Sequence, residues 1–184
     1  MSRWQFNLTP LSPLHIGSGD TLEAYEYVIV NNRLYHFNPE DFIIKLTPEQ
    51  QKEFVNLMGS SAGQLQRFLH EQTKLISDIS QFDIPLTTKA QQLYTQQLDN
   101  PRAELTIYPF IKTNFRPFIA GSSVKGAIRT ALLYAKARKP IRLSNSRELE
   151  QTTFRYRQFT DDPFKTFKVS DSQPLTNSTQ LSLM

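Results

Sequence analysis

Pro117-Phe118-Ile119-Ala120-Gly121-Ser122-Ser123-Val124-Lys125-Gly126-Ala127-Ile128-Arg129-Thr130-Ala131-Leu132 is the most informative stretch of this sequence. Small residues end an extended run, and a helix opens behind them. Val124, Ala127, Ile128, Ala131, Leu132 and Ala135 recur at helical spacing and predict a narrow buried stripe, with alanines small enough for close packing. Ser122 or Ser123 is expected to cap the N-terminus. Gly121, Ser122 and Ser123 at a helix start leave backbone N–H groups and the positive end of the helix dipole facing outward, which favours anions. Lys125 and Arg129 stand four apart and project from one face of the first turns. Gly126 removes a side chain where a ligand backbone or a partner strand would approach. The stretch is no Walker A loop, because lysine would then follow the second glycine directly; nor does it fit G-x-G-x-x-G. Read from these residues alone, it is either a phosphate-backbone site or a helix that begins after a turn and carries two surface cations.

Charge is concentrated around this motif. Residues 112–157 hold 11 Lys/Arg and 2 Asp/Glu, whereas residues 1–111 hold 8 and 12, and residues 158–184 hold 2 and 3. The net +4 of the chain thus comes from one basic block, whose field attracts polyanions. The 184 residues suit one domain, with 39% hydrophobic and 21% charged residues excluding coiled-coil, collagen-like and wholly disordered classes. Cysteine is absent, so disulfides, thiolate nucleophiles and cysteine-ligated metals are excluded. No apolar run approaches a bilayer span and no signal-like segment follows Met1, so the chain is expected to be cytoplasmic, with no membrane partner.

Trp4-Gln5-Phe6-Asn7-Leu8 alternates like a half-buried strand and runs into Pro10 and Pro13. Tyr25–Val30 and Arg33–Phe37 are β-rich runs joined by Asn31-Asn32, which predicts a tight hairpin. Asn38 before Pro39 and Thr47 before Pro48 predict capped helix starts. One helix is expected over roughly 62–79, another in the glutamine-rich stretch 83–99, and a strand over 103–111. The tail from Gln173 is expected to be loose.

Other chemistry-bearing residues are few. His15 precedes the turn Gly17-Ser18-Gly19-Asp20, but a general acid–base histidine needs an activating partner, and none is identifiable. His36 and His70 stand in unrelated segments, so no metal-ligand spacing exists. Asp161, Asp162 and Asp171 could bind a divalent cation, cap helices or neutralise the basic block, and the structural roles are favoured.

Leu14-His15-Ile16-Gly17-Ser18-Gly19 after a strand, together with Pro117–Leu132, resembles the RAMP superfamily of CRISPR-associated proteins. Asp161–Ser172 resembles a stretch found downstream of the glycine-rich loop in one of its branches, the fifth-subunit family of the type III-A Csm effector. The resemblance implies an α+β, ferredoxin-like (RRM-type) antiparallel sheet with helices on one face. It implies a RAMP domain over 1–172, a helical insertion at about 39–100, and a loose tail over 173–184. Members of that branch are about twice this long and carry a second ferredoxin-like half, so the chain is expected to match an N-terminal half. The resemblance further implies binding of CRISPR RNA near its 3′ end, capping of the filament of backbone subunits, and support of RNA maturation. The RNA-binding residues it implies are His15, Gly17, Ser18, Gly19, Gly121, Ser122, Ser123, Lys125, Gly126 and Arg129. No catalytic residue, cofactor or metal is expected. Two other readings stay open. One is a metal-independent endonuclease of repeat RNA, with His15 as acid or base and Lys125 or Arg129 steadying the phosphorane. The other is a capping module that contacts protein alone.

Overall fold

Asn31 and Asn32 both take positive φ (50° and 58°) and turn the chain between β1 (Tyr27–Val30) and β2 (Arg33–His36). The hairpin predicted from the sequence is therefore present, because asparagine tolerates the left-handed region that such a two-residue loop demands. It belongs to a computed structural model that describes residues 4–100, 102–136 and 146–175. Gly17–Pro109 forms one compact unit; residues up to Ile16 with Phe110–Leu175 form another.

In the Gly17–Pro109 unit β3 (Phe82–Pro85) joins the hairpin antiparallel, giving the order β1-β2-β3 with Leu34 opposite both Ile29 and Ile84. Successive β1 side chains enter opposite faces. Val28 packs with Phe37, Phe42, Phe54, Leu65, Leu69 and Ile76, while Tyr27 and Ile29 pack with Leu34 and Tyr94. Both faces of this short sheet are thus buried, which is why β1 reads as a continuous apolar run. Four helices supply the first face: α1 (Pro39–Ile43), α2 (Pro48–Met58), α3 (Ala62–Glu71) and α4 (Thr73–Ile79). Tyr94, on the second face, comes from α5 (Thr88–Leu98).

Local chemistry sets where these helices start. The Asn38 side chain accepts from the Glu40 N–H at 2.8 Å, and Thr47 and Gln50 form a reciprocal capping box. The single helix expected over 62–79 is broken at Gln72 into α3 and α4. The expected helix from residue 83 begins only at Thr88, because Phe82–Pro85 is taken by the sheet. The expected strand over 103–111 does not form as a continuous strand: Leu22 bridges Ile107, and Leu105 adopts φ 52° and interrupts the extended run.

The other unit contains β4 (Lys112–Thr113), β5 (Arg116–Pro117), α6 (Gly121–Lys136), α7 (Ser146–Phe154) and a 3-10 turn at Phe159–Asp161. β4 and β5 form a second hairpin, closed by Asn114 and Phe115 at φ 47° and 60°. The predicted strand at Trp4–Leu8 does not form: the segment is irregular and its side chains are exposed. A strand needs a ladder partner for its N–H and C=O groups, and no described residue supplies one. The fold class is α+β, but its sheets have three and two strands among the described residues, and no ferredoxin-like sheet is among them.

Candidate nucleic-acid interface

The glycine–serine motif leads from β5 into α6, and a later segment is laid along it. The Ser172 N–H donates to the Ile119 carbonyl at 2.9 Å, and the Leu175 N–H donates to the Pro117 carbonyl at 2.8 Å. The Ile119 N–H donates to the Ser172 hydroxyl at 2.9 Å. Residues 173–175, expected to be loose, are therefore held in place; residues 176–184 lie outside the described residues. Gly121 is required by this contact. A Cβ there would stand 2.2 Å from the Val169 carbonyl oxygen and 2.7 Å from Ser170.

Asp171 completes the contact by accepting from the Gly121 N–H at 2.8 Å. The expected serine cap is thus replaced. The first N–H of α6 is satisfied by a carboxylate 50 residues away, where it also complements the helix dipole. The helix starts at Gly121, and Ser122 and Ser123 lie exposed beside it.

Arg129 departs furthest from its expected role. Its Nη1 donates to Asp162 Oδ2 at 2.9 Å; its Nη2 donates to Glu150 Oε2 at 2.6 Å and to the Tyr156 hydroxyl at 3.0 Å. The guanidinium also lies 5.0 Å from the Phe164 ring centre and 5.7 Å from that of Phe154. With 18% of its side chain exposed, it joins α6 to α7 and to the segment after the 3-10 turn. The Glu150 hydrogen bond, outweighing burial and helped by Asp162, raises its pKa further. Burial pushes the Asp162 carboxyl up, but the Phe164 N–H and the Arg129 guanidinium more than offset this, with Lys125 adding a smaller pull. Asp162 stays ionised below the usual carboxylate range. Arg129 is accordingly an internal anchor rather than a second outward-facing cation.

This inward turn of Arg129 rotates the helix away from the predicted orientation. Ile128 is 36% exposed and Leu132 43%, and Ala127, Ala131 and Ala135 are exposed too. The apolar stripe expected to be buried is therefore open, while Val124, Arg129 and Leu133 are half-buried. Lys125 is half-buried and forms no ion pair among the described residues. Beside it, a Cβ added at Gly126 meets nothing within 4 Å. Ser122, Ser123, Lys125 and Gly126 thus form an accessible strip on the first turns of α6. Arg138, Lys139 and Arg142, part of the basic block, lie outside the described residues.

The other expected residues are distributed differently. His15 is exposed, with its ring edge-on to Phe110 at 6.1 Å. Gly17, Ser18 and Gly19 belong to the Gly17–Pro109 unit. There the Ser18 hydroxyl accepts from the Asp20 N–H at 3.2 Å, and Gly19 uses φ 91°, a conformation that favours glycine. Among the described residues no three His, Asp or Glu side chains converge as metal ligands. The β4–β5 hairpin was not foreseen. Its signal was Asn114, but Phe115 stands where such turns ordinarily carry glycine.

A family model of the RAMP superfamily matches residues 7–180. The chain belongs to the RAMP superfamily. No curated protein matches it. This RAMP chain is similar to Csm5 of T. onnurineus, at 29% identity and a TM-score of 0.49 over 70% of this chain and 34% of that one. It is similar as well to a chain in a cryo-EM structure of a Csm–crRNA–target RNA ternary complex of a type III-A CRISPR–Cas system. There the identity is 29% and the TM-score 0.50, over 70% of this chain and 31% of the other. The RAMP chain described here spans about a third of the length of each.

Proposed function

We propose that this RAMP protein is a CRISPR RNA-binding component of a type III-A effector complex, acting in the cytoplasm. In this reading it lies near the 3′ end of the CRISPR RNA, caps the filament of backbone subunits and supports maturation of that RNA end without catalysing it. The ferredoxin-like sheet of the family belongs to the same reading.

The observation that carries the proposal is the segregation of charge between the units. Residues 1–16 and 110–175 hold 14 Lys/Arg against 5 Asp/Glu, whereas Gly17–Pro109 holds 7 against 12. The basic unit is the one that carries the α6 motif, with Lys125 accessible and open space at Gly126. A concentrated positive field beside open backbone suits a phosphate chain better than a neutral partner. A strand of RNA contacted by several cations loses affinity with salt at roughly 0.7 log units per contact. Labelled single-stranded RNA titrated against the full chain at increasing salt should show that decline, and Lys125→Ala should flatten it by about one contact. An affinity that ignores salt would overturn RNA binding. Co-purification of a type III-A backbone subunit with the chain, dependent on CRISPR RNA, tests the capping role; its failure with RNA bound would remove that role alone.

A further inference from the structure

Among the described residues two hairpins are closed by two-residue loops with both φ values positive, and they differ in one residue. Asn31-Asn32 closes β1–β2 with two residues that tolerate the left-handed region; Asn114-Phe115 closes β4–β5 with one that does and one that does not. A bulky aromatic at φ 60° is an outlier, held only where something favours it. The Phe115 side chain is 56% exposed. Lys112, Thr113, Asn114 and Arg116 around it are exposed as well.

The surroundings are those of a platform. Lys112 Nζ lies 5.9 Å from the centre of the Phe115 ring. Arg116, also exposed, follows Phe115 directly and opens β5. The base of the ribbon is tied down: the Ile111 N–H donates to the Ile16 carbonyl at 2.8 Å, and Pro117 accepts from Leu175. An exposed aromatic ring on an anchored ribbon with exposed cations nearby matches the general recipe for holding single-stranded nucleic acid, in which bases stack on the ring and phosphates meet the charges. A protein partner would explain an exposed aromatic, but it would not call for exposed cations in the same ribbon.

We propose that the β4–β5 hairpin is a stacking site for one base of single-stranded RNA, with Phe115 as the platform and Lys112 and Arg116 meeting the adjoining phosphates. This rests on the RNA-binding reading and adds a base-dependent contact to it. Stacking is tolerant of sequence, so the site selects unpaired strands rather than particular bases.

The test uses the full chain, oligouridylate, and a strand of equal length with abasic sugars. Phe115→Gly suits the backbone and spares the hairpin, so any loss of binding is not a loss of fold. It should weaken oligouridylate binding roughly 5- to 150-fold with the salt slope unchanged. Phe115→Trp should keep the affinity, and its fluorescence should be quenched by oligouridylate more strongly than by the abasic strand. Trp4 in the wild type serves as the reference. Wild-type affinity in Phe115→Gly, or equal binding of both strands by the wild type, would overturn the stacking site and leave RNA binding standing. Failure of the wild type to bind either strand at low salt would overturn both.

Discussion

Between Gly17 and Pro109 the chain buries Tyr27, Val28, Ile29, Phe37, Phe42, Phe54, Leu69 and Ile76 on the two faces of one small sheet. In the other unit the described residues bury only Ala120 and Phe164 among their apolar side chains. There the elements are joined instead by Arg129 with Asp162 and Glu150, by Asp171 on the start of α6, and by backbone pairing of 117–119 with 172–175. The acidic unit is held by non-directional burial, and the basic unit by a few directional contacts. A unit dense in cations has a reason for this arrangement. Each carboxylate placed inside it lowers the self-repulsion of the block while leaving the outer cations and an exposed helix face available. Charge and apolar core are thus segregated between the two units.

The contrast can be broken most directly in the core. Phe54 is fully buried, with its ring 5.2 Å from Phe42 and 6.1 Å from Phe68. Phe54→Ala should cost about 3–5 kcal/mol in urea unfolding. Ile128→Asp, on the open face of α6, should cost under about 1 kcal/mol, although the sequence pattern alone made Ile128 a core residue. Equal losses would mean that the basic unit hides a core of its own.

Gly121→Ala comes next. With the Val169 carbonyl 2.2 Å from the new Cβ, the segment Val169–Leu175 must move away from α6, and about 1–3 kcal/mol of local stability should be lost. Hydrogen exchange would report this as faster exchange at Gly121, Ser172 and Leu175, with β1 and β2 unchanged. Loosening of both units together would contradict the division.

Acid should act on the basic unit through the same contacts. Asp162 has a folded-state pKa below its ordinary value of 3.8, so its contribution is complete above that value. It is lost as the pH falls through the lower, folded value. Protection of the Phe164 amide, which donates to Asp162 Oδ1 at 2.9 Å, should therefore hold at pH 5–7 and decline below about pH 4. Asp162→Asn should remove most of that decline. A decline of the same size in the variant would assign it to another carboxylate.

These contacts also mark where the sequence was legible. The Asn31-Asn32 turn and the caps at Asn38 and Thr47 depend on residues within three positions, and their chemistry was readable directly. The family motif around Gly121 was readable as well. The orientation of α6 was not, because Arg129 finds its partners 21 and 33 positions away and Gly121 finds Asp171 at 50. Periodicity marked an apolar stripe on α6, but long-range ion pairs decided which face turned inward. Trp4–Leu8 shows the reverse case: the alternation of a strand is present, and the partner that would use it is not among the described residues. The β4–β5 hairpin escaped because its second loop residue is the wrong type for its φ.

The smallest expected effect separates stability from binding at one position. Gly126 sits inside α6 with open space where a Cβ would go, so nothing in the folded chain requires a glycine there. Alanine should therefore stabilise the helix by about 0.5–1 kcal/mol, through the lower backbone entropy of the unfolded chain. If the strip from Ser122 to Gly126 lies against an RNA backbone, the added methyl pushes that backbone outward, and affinity should fall while stability rises. The two changes have opposite signs, so no general loss of folding can imitate them. Thermal melting and RNA titration of Gly126→Ala under one salt condition would give both numbers. A gain in stability with wild-type affinity would show that the glycine keeps no space for RNA, and the accessible strip on α6 would then reduce to Lys125.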